Sequence, residues 1–335
     1  MTAQAADAVW DAIYGISRFA ALATMAELDF AAHLRDGPLS ADQLAARCDA
    51  HPQSVRRVLR ELAGMGFVRS VPEGYEVTEA GLILADDSPG SLRSAIRLVG
   101  EEAYWNGMGR MPKTVKSGVS AFRELHGSVY GYLGAHPETA VVFDDYMARR
   151  AIPFAEGLAD HYDFTGVERV VDVGGGRGQL ISAVLAAHPH TRGVLFDLDR
   201  VIPSGREAIA AAGLADRCEC VVGDFFVQDG IPVADAYILS NVIHNWNDDD
   251  SVRILSNIRS AMPSTGRILI VEIVLPDDDS PHVGLDADMR MLALIGDGME
   301  RTRTEYQTLL EKSGLNLSEI VELPGWASVV VATPM

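Results

Sequence analysis

The chain has 335 residues, 48% of them hydrophobic, too many for one small domain and enough for two cores. Lys and Arg total 28 against 47 Asp and Glu, and the formal charge of −19 argues against nucleic acid and anionic membrane surfaces as partners. Three cysteines make no disulfide framework and point to a reducing, cytoplasmic setting, while Asp7, Asp11, Arg18, Glu27 and Asp29 interrupt the N-terminal apolar stretches, so neither a signal peptide nor a membrane span is expected.

From Ala5 to Leu34 the apolar residues Val9, Ile13, Ile16, Phe19, Ala23 and Leu28 recur at helical spacing, which predicts one long helix. Small residues between them permit close packing, including packing between molecules. Ser40 is an N-cap for a following helix, and a second helix is predicted over Pro52–Met65. Phe67–Val71 and Tyr75–Thr78, separated by Pro72-Glu73-Gly74, read as a β-hairpin. Helix, helix, hairpin is a winged-helix order. Arg56, Arg57 and Arg60 would suit a DNA-reading helix, but the acidic residues around them favour dimerisation or substrate capping instead.

Aromatic and sulfur side chains crowd the stretch from Ser91 to Leu133, mostly as expected core, and a long helix is predicted from Thr139 to His161 with a kink at Pro153. Beyond Val167, strands alternate with helices. The predicted strands are Arg169–Val173, Gly193–Asp197, Cys218–Val222, Ala236–Ser240, Arg267–Val274, Leu317–Glu322 and Ser328–Val331. That alternation predicts an α/β, doubly wound sheet, whose ligands lie beyond the carboxyl ends of the strands. The two expected domains are 1–155, helical with the winged helix, and 156–335, built on the sheet.

The first of these strands runs into Asp172-Val173-Gly174-Gly175-Gly176-Arg177-Gly178, a turn in which glycines allow positive φ and close approach of a ligand. Asp197 ends the next strand 19 residues after Gly178, where a carboxylate could accept both hydroxyls of a ribose. A dinucleotide fingerprint would need a third glycine where Gln179 or Ile181 stands, so a mononucleoside such as S-adenosylmethionine suits the turn better than NAD. The plain alternative is an ordinary strand-to-helix turn. Asp224-Phe225-Phe226 suits an adenine, with the carboxylate accepting from the amine and the ring stacking; a solvated turn acid followed by core phenylalanines would look the same. Ser240, Asn241 and His244 follow the fourth strand and should reach the same crevice.

His244 is the general-base candidate, since an imidazole with an ordinary pKa of about 6.5 is largely neutral at cellular pH and can take a proton from a phenol of about 10. A structural histidine bonded to a carbonyl is the alternative. Glu272 and Glu300 are both placed where a carboxylate could accept the second ring N–H of His244, although Glu300 could instead pair with Arg301 or Arg303. The remaining histidines have no ligand spacing, and no metal site is expected.

Taken together, Val171-Asp172-Val173-Gly174-Gly175-Gly176, Phe196-Asp197-Leu198, Gly223-Asp224-Phe225-Phe226, Ile243-His244-Asn245-Trp246, Glu272 and Glu300-Arg301-Thr302 resemble, in order, the S-adenosylmethionine-dependent small-molecule O-methyltransferases of the plant caffeate and hydroxyindole type, which include bacterial antibiotic-tailoring enzymes. The resemblance spans essentially the whole chain. It implies a Rossmann-like class I methyltransferase domain behind a mainly helical winged-helix dimerisation domain, and transfer of a methyl group to a hydroxyl of an aromatic small molecule, leaving S-adenosylhomocysteine. It further implies a homodimer, His244 as base flanked by Glu272 and Glu300, cofactor contacts from Asp172, Gly174 to Gly176, Asp197, Leu198, Asp224, Phe225, Ser240 and Asn241, and a substrate crevice lined by Trp105, Phe143, Met147, Asp288, Met289 and Leu292. Three positions depart from the commonest pattern: Asn245 where an aspartate often follows the histidine, Asp199 where a proline is usual, and Ser240 where several members have lysine. The rivals are N- or C-methylation, a relative that uses S-adenosylmethionine in hydroxylation or decarboxylation, and a winged-helix regulator that senses a small ligand.

Overall fold

The computed structural model describes residues 2–278 and 280–335. By contacts it divides into two compact units whose sequences interleave, one of residues 1–106 and 130–149, the other of residues 107–129 and 150–335. Segment 107–129 belongs with the second unit because Ser120 Oγ donates to the carbonyls of Ala293 (2.7 Å) and Leu294 (3.0 Å), and Gly107 lies against Leu294.

In the first unit the predicted N-terminal helix is two, Thr2–Glu27 and Phe30–Leu34. Asp29, with φ of 53°, adopts the left-handed conformation that a helix interior does not allow, and the chain turns there. Helices Ala41–Arg47 and Pro52–Gly64 follow, the first closed by a capping box between Ser40 and Gln43, the second opened by Pro52. The hairpin of β1 (Val68–Val71) and β2 (Gly74–Val77) completes the winged-helix order. Met25, Phe30, Leu44, Leu59 and Leu62 form its fully buried core, each worth about 2 kcal/mol of burial. Helix Pro137–His161 continues through Pro153, which cannot donate to the Arg149 carbonyl, and the boundary between the units falls within it.

The second unit is built on a seven-stranded sheet. Its strands are β3 (Arg169–Val173), β4 (Arg192–Asp197), β5 (Cys218–Val222), β6 (Ala236–Ser240), β7 (Arg267–Glu272), β10 (Leu315–Glu322) and β11 (Ser328–Pro334), while β8 (Val274–Leu275) and β9 (Arg301–Thr302) form a separate parallel pair. The sheet order is β10-β11-β7-β6-β3-β4-β5, parallel from β7 to β5, with β11 antiparallel to both β7 and β10. This is the predicted doubly wound α/β sheet, except that β7 ends at Glu272, so Val274 lies in β8 rather than continuing the strand, and that β10 starts earlier, at Leu315, and β11 runs on to Pro334. Alternate residues feed two cores, Val170, Leu195, Ile238 and Leu269 on one face, Val171, Phe196, Leu239 and Ile270 on the other. Both faces are covered, as parallel strands require. From the central β3 the chain winds first towards β4 and β5, then returns to add β6 on the other side. The crevice at that switch point lies at the carboxyl ends of β3, β4 and β6.

Candidate active site

At the end of β3 the chain turns through Gly174 (φ 69°), Gly176 (60°) and Gly178 (77°), angles that the other residue types rarely hold. The Gly174 N–H donates to the Phe196 carbonyl at 2.8 Å, tying the turn to β4. Asp197, half-buried at the end of β4, accepts from the Gly176 N–H with Oδ2 (2.9 Å) and from the Leu198 N–H with Oδ1 (2.7 Å). A carboxylate has about four lone-pair positions, so two remain for donors from outside the chain. A Cβ on Gly176 would meet nothing within 4 Å, and one on Gly174 would come to 3.2 Å from Val242 and 3.6 Å from the Phe225 ring. Open main chain, a carboxylate with spare acceptors and a neighbouring aromatic ring fit an adenosyl group.

Asp172 lies beneath this turn. It is buried, accepts from the Ile181 N–H at 3.3 Å in the first turn of helix Gln179–Ala187, and would collide with any Cβ on Gly175. Burial pushes its carboxyl up to about 7, and the neighbouring Asp197 adds to the rise. Phe225 and Phe226 pack edge-on against Trp246, at centroid distances of 6.0 and 4.7 Å. Their main chain is held from helix Asp248–Ala261: Asn257 donates to the Phe225 carbonyl (2.9 Å), and Arg253 donates to the Phe226 carbonyl (2.9 Å) while lying over the Phe226 ring. Asp224 accepts from the Phe226 N–H at 2.8 Å.

At the end of β6, Ser240 Oγ accepts from the Asn241 amide (3.1 Å), and Asn241 has φ of 52°. The Asn245 side chain donates back to the Asn241 carbonyl at 2.9 Å, a bond that an ionised aspartate could not make. His244 lies between them in a short 3-10 turn, Ile243–Asn245, and is buried. Its Nδ1 is 3.0 Å from Glu300 Oε1, and Nε2 has no hydrogen-bond partner among the described residues. The two carboxylates divide their work. Glu300 engages the ring, whereas Glu272 Oε1 accepts the main-chain N–H of His244 (3.1 Å), and its Oε2 accepts from the Tyr306 hydroxyl (2.5 Å). Glu272 and Tyr306 are both fully buried, and its own burial raises each, the Glu272 carboxyl above its ordinary range and the Tyr306 phenol well above its own.

Glu300 pairs with neither Arg301 nor Arg303; its N–H donates to Asp288 Oδ1 at 2.9 Å, and burial holds the Asp288 carboxyl above its ordinary range. Of the remaining expected substrate contacts, Met289 is exposed and Leu292 half-buried on the same helix, Val283–Leu294. Trp105, Phe143 and Met147 belong to the first unit, where Trp105 stacks on Phe19 at 5.3 Å and Phe143 packs edge-on against Tyr130. Sequence reasoning missed Tyr306 and Gly298 and weighed Arg301 only as a partner of Glu300; all three touch the His244 turn or its partners. A polar residue kept inside an apolar helix pattern, as Tyr306 is, was the only local signal.

A family model of the O-methyltransferase domain matches residues 109–316, more than half of the chain. The chain belongs to the O-methyltransferase family. A second model, of an N-terminal domain, matches residues 20–94. Over 313 residues this methyltransferase is 38% identical to phenazine O-methyltransferase PhzM of Lysobacter antibioticus, covering 92% of this chain and 91% of that protein. The solved structure of mitomycin 7-O-methyltransferase MmcR is similar at a TM-score of 0.92 and 33% identity, over 100% of this chain and 99% of that one. NcsB1 from neocarzinostatin biosynthesis, solved with S-adenosylmethionine and 2-hydroxy-5-methyl naphthoic acid, matches at a TM-score of 0.82 and 31% identity, over 95% of this chain and 96% of that one. Similarity also extends, at 35% and 34% identity, to a riboflavin-type N,N-dimethyltransferase of Streptomyces davaonensis and to aclacinomycin 10-hydroxylase RdmB of Streptomyces purpurascens. Among the described residues no cluster of His, Cys, Asp and Glu is disposed to hold a metal ion, and no helix is long and apolar enough to cross a membrane.

Proposed function

We propose that this O-methyltransferase transfers the methyl group of S-adenosylmethionine to a hydroxyl of an aromatic natural-product intermediate, with His244 as general base. The observation that carries the reading is the buried pair of His244 Nδ1 and Glu300 Oε1 at 3.0 Å. A carboxylate accepting at Nδ1 fixes that proton on Nδ1, and Nε2 is left with its lone pair. When bound, S-adenosylmethionine supplies an electrophilic methyl group on a sulfonium. Gly174 to Gly176, Asp197, Leu198, Asp224, Phe225, Ser240 and Asn241 would hold it, Asp197 by accepting from the ribose hydroxyls and Asp172 by supporting the turn from below. His244 Nε2 takes the acceptor's hydroxyl proton as the oxygen attacks, and Glu300 stabilises the imidazolium so formed. Glu272 fixes the main chain of His244. Orientation of the acceptor by Asp288, Met289 and Leu292 contributes the rest, since methyl transfer depends on in-line approach.

The same reading makes residues 1–155 a dimerisation and substrate-capping domain, residues 156–335 the catalytic domain, and the protein a cytoplasmic homodimer. Helix Thr2–Glu27 supports the dimer by exposing Val9, Trp10, Ile13, Tyr14 and Ile16 to solvent. The deciding experiment incubates the enzyme and a His244→Ala variant with S-adenosylmethionine and a panel of phenols, naphthols and hydroxyphenazines. A product heavier by one methyl group, formed on oxygen by the wild type and lost in the variant while S-adenosylhomocysteine still binds, is expected. N-methylated or hydroxylated product, or unchanged turnover by the variant, would overturn the reading.

A further inference from the structure

The turn that carries His244 is three residues long, and a 3-10 turn of that length has too few hydrogen bonds to hold its own shape. The direction of the imidazole is therefore set by whatever grips the main chain around it. Beside Glu272 on the His244 N–H and Ser251 on the Trp246 carbonyl, Arg301 supplies the hold that spans both sides of the ring. Its side chain is fully buried, an expensive place for a guanidinium unless each of its donors finds a partner. Nη1 donates to the Ile243 carbonyl (3.3 Å) and Nη2 to the Trp246 carbonyl (2.9 Å), the residues immediately before and two after His244. Nε and Nη2 both reach Asp248 Oδ1, at 3.2 and 2.9 Å, and Nη2 lies 3.4 Å from Ser251 Oγ. One rigid fork thus ties the turn to the first residues of helix Asp248–Ala261. On the same segment, Gly298 lies where any Cβ would come within 2.4 Å of the His244 carbonyl oxygen.

We propose that Arg301 is a positioning residue for His244. The residue that binds the ring, Glu300, and the residue that binds the main chain on either side of it are consecutive, so the separation of imidazole and carboxylate is set within one dipeptide of β9 and its approach. A lysine at 301 would keep the charge but could not bridge two carbonyls and a carboxylate at once. This inference rests on His244 being the base, and the test separates the two.

Turnover, S-adenosylhomocysteine affinity by calorimetry, and the downfield imidazole N–H proton resonance would be measured for wild type, His244→Ala, Arg301→Lys and Asp248→Asn. His244→Ala assigns the resonance by its loss. Arg301→Lys is expected to lower kcat at least 30-fold, to move or broaden the resonance, and to leave S-adenosylhomocysteine affinity within threefold. Asp248→Asn keeps the guanidinium and removes its charged acceptor on a half-exposed side chain; a smaller fall in kcat, about threefold to tenfold, is expected with affinity unchanged, and this variant decides the matter if Arg301→Lys does not fold. Turnover retained by His244→Ala removes the base itself. Turnover lost in His244→Ala but kept in the folded position-301 variant, or in Asp248→Asn where that one does not fold, or affinity falling in step with kcat, overturns the role of Arg301.

Discussion

Replacing Glu300 with glutamine removes one charge and almost no volume from the centre of the site. Glu300 and His244 are both nearly inaccessible to solvent, so their interaction escapes the screening that weakens surface pairs. With Nδ1 and Oε1 3.0 Å apart, the charge centres of an imidazolium and a carboxylate lie roughly 4 Å apart, which at an effective dielectric constant of about 20 gives about 4 kcal/mol. The amide oxygen of glutamine still accepts a neutral hydrogen bond worth about 1 kcal/mol. The net loss, about 3 kcal/mol, falls on the state in which His244 carries the proton, and corresponds to about a 100-fold fall in kcat. Neutral His244 gains little from the carboxylate charge, so acceptor affinity should change far less than kcat. Release of S-adenosylhomocysteine followed under saturating acceptor, with calorimetry to confirm cofactor affinity, measures the effect. A Glu300→Gln enzyme with kcat within threefold of wild type would refute the electrostatic account.

Asp197→Asn is expected to weaken S-adenosylhomocysteine binding by about tenfold or more, because an amide offers only one oxygen to the Gly176 and Leu198 N–H groups and to a ribose; equal affinity by calorimetry would dismiss the contact. Glu272→Gln should lower the melting temperature and kcat together, since both Glu272 oxygens accept, from the His244 N–H and the Tyr306 hydroxyl, and an amide N–H would face one of those donors; a stable variant with reduced kcat alone would assign Glu272 to the chemistry. The carboxyl of Asp172 titrates at about 7 in the folded protein against 3.8 ordinarily, so the native state binds the extra proton between those values. Stability from this group is full below about pH 4 and lost as pH rises to about 7, at most about 4 kcal/mol in all. Urea unfolding at pH 5 and pH 7.5 should show a smaller loss for Asp172→Asn than for wild type. Trp10→Glu with Ile13→Glu should convert the proposed dimer to monomer in sedimentation experiments at micromolar concentration, and an undisturbed dimer would move the interface elsewhere.

Much of the second unit is written locally. Parallel strands buried on both faces, such as Val194-Leu195-Phe196, are near-continuous apolar runs, and the glycine-rich turn after the first of them marks main chain that must adopt positive φ. The place of His244 was legible for a related reason, since the carboxyl ends of the parallel strands in a doubly wound sheet open towards one crevice and His244 follows the end of β6. The division between Glu272 and Glu300 was not legible, because it depends on which oxygen meets a side chain and which a main chain, across 28 and 56 residues. The role of Arg301 was hidden because the partners that hold the turn are carbonyls of residues 243 and 246, and carbonyls leave no trace in the identity of a residue. The break at Asp29 was missed because a left-handed residue inside a periodic apolar pattern contradicts propensity, and packing won.

Three carboxylates are linked to His244 directly or through one another, and the structure gives each a different donor. Glu300 meets the ring, Glu272 meets the main-chain N–H of the same residue and a tyrosine hydroxyl, and Asp288 meets the N–H of Glu300. The chain of contacts runs Asp288 to Glu300 to His244, so a group on helix Val283–Leu294 is linked to His244, the proposed base, through one peptide unit. That helix also carries Met289 and Leu292, the side chains expected to touch the acceptor. Changes that retune acceptor choice along this helix are therefore not independent of changes in turnover. A shift of Asp288 that accommodates a bulkier ring would displace Glu300, and with it the acceptor at Nδ1 on which the proposed proton transfer depends.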